Sequence, residues 1–92
     1  MIKNFKHKGL ADFFYDGTKR GILPEHARKL ADILDMLDNA RTVDDMNFAG
    51  SNLHRLKGEL QGFWAVKVSG NWRVIFRFQD RDVVQVDYLD YH

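Results

Sequence analysis

"FWAVKVSGNWRVIFRFQDRDVVQVDYL", residues 63–89, decides the fold, because its apolar residues return at every second position over most of its length. In FWAVKV, Trp64, Val66 and Val68 fall on one side of an extended chain, and Phe63, Ala65 and Lys67 on the other. SGN at 69–71 is a turn signal, after which NWRVIFRF sets Trp72, Val74, Phe76 and Phe78 against Asn71, Arg73, Ile75 and Arg77. QDRD at 79–82 turns the chain again, and VVQVDYL sets Val84, Val86 and Tyr88 against Val83, Gln85 and Asp87. The pattern is an antiparallel meander with one face apolar enough to demand a cover and another that points Arg73 and Arg77 outward.

Upstream the period changes. IKNFKH, at 2–7, reads as a short opening strand through Ile2 and Phe5. In KGLADFFYDG, Leu10, Phe13 and Phe14 stand at helical spacing and Gly17 is a stop. PEHARKLADILDMLDNA is the clearest helix, about four turns by the 3.6-residue period. Pro24 suits its first position, Glu25 its first-turn dipole, and Ala27, Leu30, Ala31, Leu34 and Leu37 form its stripe. RTVDDMNFAGSN reads as a loop with one helical turn. The expectation is one α+β domain over residues 1–92, with two N-terminal helices covering one face of the sheet.

A chain of 92 residues with 45% hydrophobic content supports one modest core, and its lack of cysteine removes disulfides and thiolate metal sites. No apolar run is long enough for a signal peptide or a membrane helix, so the expected compartment is the cytoplasm and no membrane partner is expected. The net charge of +1 hides an uneven distribution. Between residues 52 and 78 lie Arg55, Lys57, Lys67, Arg73 and Arg77 against Glu59, whereas 31–47 holds Asp32, Asp35, Asp38, Asp44 and Asp45 against Arg41. A basic face of this kind suits a polyanion.

The basic region also holds LHRLKG, residues 53–58, in which an extended chain puts His54 and Leu56 on one face and Arg55 and Lys57 on the other. RNA strand cleavage needs a base for the ribose 2′-hydroxyl, cations for the phosphorane and an acid for the leaving 5′-oxygen. Imidazole can give or take a proton near neutral pH, which suits His54 and His92 to the transfers, and Lys57 and Arg73 can hold a phosphate. Each also has a structural reading: a surface histidine, solvated arginines, a turn lysine, and a fraying last residue. His7 and His26 read as structural or solvent-facing, and Trp64 and Trp72 as core. Nucleotide-binding glycine loops, serine-hydrolase elbows and metal-ligand spacing are all missing, so no cofactor and no metal are expected.

MIKNFKHKGL, LHRLKG, GFWAVKVSGNWRVIFRF and the closing VDYLDYH together resemble the HigB-type toxins of the RelE/ParE superfamily, in the same order over nearly the whole chain. The likeness is weakest between about Arg41 and Asn52, and QDRD lacks the glycine common in that turn. The resemblance implies two N-terminal helices on a twisted, mostly antiparallel sheet, and cleavage of messenger RNA in the A site of the 70S ribosome. Carried over by position, it implies catalytic roles for His54, Asp90, Tyr91 and His92 and phosphate contacts from Lys57 and Arg73. His92 is then the expected acid, its imidazolium favoured by Asp90, and His54 the base, with the two roles open to exchange. The end of the chain is thus expected to be part of the site. Implied partners are a HigA-type helix-turn-helix antitoxin, for which the acidic helix with Asp32, Asp35 and Asp38 offers one surface, and operator DNA through that antitoxin. A gyrase poison of the ParE kind, or an inactive co-repressor, shares the fold and remains the alternative.

Overall fold

The computed structural model describes residues 1–91. Helices α1 (Lys8–Asp16) and α2 (Ala27–Asn39) precede strands β1 (His54–Arg55), β2 (Trp64–Ser69), β3 (Trp72–Gln79) and β4 (Asp82–Asp90). The strands form one antiparallel sheet in the order β1-β2-β3-β4, which meets the expectation of a helix-covered meander. The expected opening strand is reduced to parallel bridges from Ile2 to Val83 and from Phe5 to Val86 on the free edge of β4.

The helices begin and end for local reasons. His7 accepts the Leu10 N–H at Nδ1 (2.9 Å), and Gly17, at φ 77°, returns its N–H to the Phe13 carbonyl, so α1 is capped at both ends. Pro24–His26 is a 3₁₀ turn, and α2 proper starts at Ala27. Its buried stripe is Leu30, Ile33, Leu34 and Leu37; Ile33 takes the place expected for Ala31, which is exposed. The main core joins this stripe and Leu10 to Val66, Val68, Val74, Phe76, Val83, Val86 and Tyr88. His26 is buried as a structural residue, its Nδ1 2.6 Å from the Tyr88 hydroxyl and its ring edge-on to Trp72. Burial pushes the Tyr88 phenol up, the Leu23 amide opposes that, and the Glu25 charge adds to it.

Two expectations need correction. Strand β4 does not alternate throughout: Ile75 faces Asp87 while Arg77 faces Val84, so Gln85, at φ 56°, is an extra residue in the ladder. The bulge carries Val83, not Val84, into the core beside Val86 and Tyr88. The second face of the sheet is also not open. Gly58 (φ 69°) and Gly62 (φ 96°) bend the chain through a 3₁₀ turn, and Leu56 and Phe63 close over Ala65 and Ile75, with Leu60, Leu89 and Tyr91 packed around them. Only glycine takes such φ values without strain, which is why this turn folds back instead of extending β1. Among the described residues no helix is long and apolar enough to cross a membrane.

Candidate active site

Strand register sets the site. His54 pairs with Ala65, Ala65 with Ile75, and Ile75 with Asp87, so these four share one row on the face away from the helices. Lys67, Arg73 and Leu89 form the next row of that face. His54 and Arg73 therefore look out from the same surface, two strand spacings or about 10 Å apart laterally. Between them lies Ala65, fully buried beneath Leu56 and Phe63.

His54 is exposed, and its Nδ1 lies 2.8 Å from the Asn52 carbonyl oxygen. A carbonyl can only accept, so Nδ1 carries the proton and the neutral ring keeps its lone pair on Nε2. That is the state a general base requires. The carbonyl is held there by the left-handed backbone of Asn52, at φ 52°, a conformation asparagine tolerates better than most residues.

Arg73 is tied back to the β2–β3 turn, its Nη1 donating to the carbonyls of Gly70 (2.7 Å) and Trp72 (3.0 Å). Its Nε is buried and has no hydrogen-bond partner among the described residues. Leaving such a donor unsatisfied costs on the order of 1–3 kcal/mol. Directly across from Arg73 stands Lys67, half-buried, and neither makes an ion pair with a described residue. Like charges placed opposite each other destabilise a sheet unless something neutralises them. Lys67 is the functional candidate that the sequence reading counted only as part of a basic stretch; its signal was alternation in register with Arg73 across the SGN turn.

The remaining expected residues are dispersed. Lys57 is exposed on the turn after β1, in a groove lined with Arg55, Leu56, Gly58 and Gln61. Tyr91 donates its N–H to the Asn71 carbonyl (2.8 Å) and packs half-buried against the cluster beneath His54's face. Asp90 pairs with Trp72, so alternation turns its side chain toward the helix side, in a groove shared with His7, Arg20 and Tyr88. His92, the expected acid, lies outside the described residues. Together, His54, Lys67, Arg73 and Tyr91 form a cationic surface with one poised base, a set suited to a phosphodiester beside a hydroxyl.

Comparison with known proteins agrees with this chemistry. The family described as the RelE-like toxin of the type II toxin–antitoxin system HigB matches residues 3–92. "Endoribonuclease HigB" of Proteus vulgaris is 38% identical over 92 residues, covering 100% of both chains. "Toxin HigB-1" of Vibrio cholerae is 31% identical over 94 residues, covering 100% of this chain and 98% of the relative. Among solved structures, the YoeB–YefM complex of Staphylococcus aureus superposes with a TM-score of 0.63 at 15% identity, over 100% of this chain and 95% of that one. The YoeB dimer from the same organism gives 0.60 at 15% identity, over 99% and 94%. At that identity the structural likeness speaks for the fold alone.

Proposed function

The chain belongs to the RelE-like, HigB-type toxins of type II toxin–antitoxin systems, and from that premise we propose that it is an endoribonuclease acting as a single toxin domain on messenger RNA held in the ribosomal A site. His54 Nε2 removes the ribose 2′-hydroxyl proton; the 2′-oxygen attacks phosphorus and the bond to the 5′-oxygen breaks. A 2′,3′-cyclic phosphate and a 5′-hydroxyl result, the latter protonated by His92. Arg73, Lys67 and Lys57 neutralise the charge that grows on the phosphorane, and Tyr91 stacks on a neighbouring base.

The observation that carries this reading is a histidine with its Nδ1 proton committed to Asn52, on the same face as a Lys67–Arg73 pair that, among the described residues, has neither an acid partner nor an acceptor for Arg73 Nε. A small cationic face gains most from a substrate that presents many phosphates at once, which accounts for use of the 70S ribosome instead of free RNA. A helix-turn-helix antitoxin of the HigA kind restrains the toxin and carries the pair to operator DNA. The whole module works in the cytoplasm.

Primer extension on a defined messenger RNA tests the reading, with purified 70S ribosomes and the wild-type, His54→Ala and His92→Ala chains. Cuts at A-site codons that need the ribosome and both histidines are expected. Wild-type chain that leaves the message intact on active ribosomes would overturn the reading and redirect attention to gyrase.

A further inference from the structure

Phe63 lies at the far end of the same sheet face and is buried, yet two cations converge on its ring. Lys6 Nζ is 5.4 Å from the ring centroid and Arg77 Cζ is 5.3 Å from it. These residues come from distant parts of the chain. Lys6 is brought in by the N-terminal segment, where its N–H donates to the Val86 carbonyl (2.8 Å) on β4, and Arg77 rises from β3. The Arg77 guanidinium rests against the bare α-carbon of Gly62; a Cβ there would come within 2.9 Å of Arg77 Nη2. Each contact holds a charged head at a defined place by cation–π attraction.

Neither cation makes an ion pair with a described residue. Asp87, on the same face, turns its carboxylate to the Tyr88 amide (2.9 Å) and pairs with neither. Two ordered cations over one apolar ring, with their remaining donors facing solvent, form an anion site. We infer that Lys6 and Arg77, gathered around Phe63, are a second phosphate-binding subsite for the RNA strand, separate from the reacting centre. The inference rests on the nuclease reading for the strand's identity.

Geometry names RNA over an acidic protein. Arg77 stands four residues from Arg73 on one strand and on one face, a span of about 13 Å that a single extended polynucleotide covers with more than one phosphate. A protein partner would look for an apolar anchor at the centre of its contact, and here the apolar ring is buried beneath the charges. The strand thus runs along β3, from the centre at Arg73 toward the β3–β4 turn.

Titration of a labelled single-stranded RNA oligonucleotide at low salt, repeated over a salt series, tests the subsite in three chains: wild type, the Lys6→Gln/Arg77→Gln double variant, and the charge-preserving Lys6→Arg/Arg77→Lys variant. Loss of two phosphate contacts predicts binding about tenfold weaker at low salt and a log–log salt slope shallower by about 1.4, while the charge-preserving variant stays within about threefold of wild type. A double variant with wild-type affinity and slope overturns the proposal, as does a wild-type chain that binds no RNA at low salt. Loss of antitoxin binding alone in the double variant would assign the patch to protein and also overturn it. Should RNA binding behave as expected while ribosome-held message stays uncut, the nuclease reading fails and the subsite stands.

Discussion

Asn52 and His54 act as one unit, because the left-handed backbone of the first aims the carbonyl that fixes the tautomer of the second. Asn52→Gly keeps that backbone and is expected to keep cleavage; Asn52→Val resists it and is expected to lower the rate about tenfold, since a misplaced base loses part of the factor of 10²–10⁴ that acid–base catalysis contributes. Rates from ribosome-held message in the two variants decide this. At Lys67 stability and activity should part company. Lys67→Met removes a like charge facing Arg73, and is expected to raise unfolding free energy by about 0.5 kcal/mol in urea while cleavage falls. A drop in both would show that Lys67 is only a packing residue. Chemistry at this scale was partly legible: His54, Lys57 and Arg73 stand out as residue types suited to phosphodiester cleavage, but the importance of Lys67 depends on what lies across the sheet from it.

At the scale of elements, the β3–β4 turn is built without glycine. Asp80 (φ 53°) and Arg81 (φ 74°) both take left-handed conformations, the arrangement of the hairpin turn that favours Asn-Gly. Arg81→Gly relieves a residue that dislikes positive φ and is expected to stabilise the protein by about 1 kcal/mol, read as a higher urea midpoint with unchanged m. The 3₁₀ turn at Val43–Met46 is closed by Asp45, whose carboxylate accepts the Arg41 (2.8 Å) and Thr42 (3.1 Å) amides. Those bonds hold its pKa below the ordinary carboxylate value, the Arg41 amide contributing most. A carboxylate depressed on folding contributes stability in full above its unfolded pKa, and loses it as pH falls through its folded value. The protection of the Arg41 and Thr42 amides, measured against their intrinsic exchange rates, should therefore fall in acid, and Asp45→Asn should remove most of that pH dependence. The bulge at Gln85 was hidden from a period of two, which cannot register an inserted residue.

For the whole molecule, two glycines decide how α1 meets the loop that leads to α2. A Cβ on Gly9 would lie 2.5 Å from the Gly21 carbonyl oxygen. Helix propensity alone would make Gly9→Ala stabilising by about 1 kcal/mol, but a collision with backbone should win and destabilise the fold by roughly 1–3 kcal/mol. Thermal unfolding checks the sign. The strand meander, the long amphipathic helix, the cover on one face and the presence of cleavage-competent residue types were legible from the order of residues, because periodicity and side-chain chemistry are local properties. Tertiary structure alone decided which charges face each other across strands, how Gly58 and Gly62 fold Leu56 and Phe63 over the second face, and that Lys6 reaches Phe63 beside Arg77. Those outcomes depend on register, on positive-φ turns and on contacts between segments distant in the chain, none of which a single run of residues encodes.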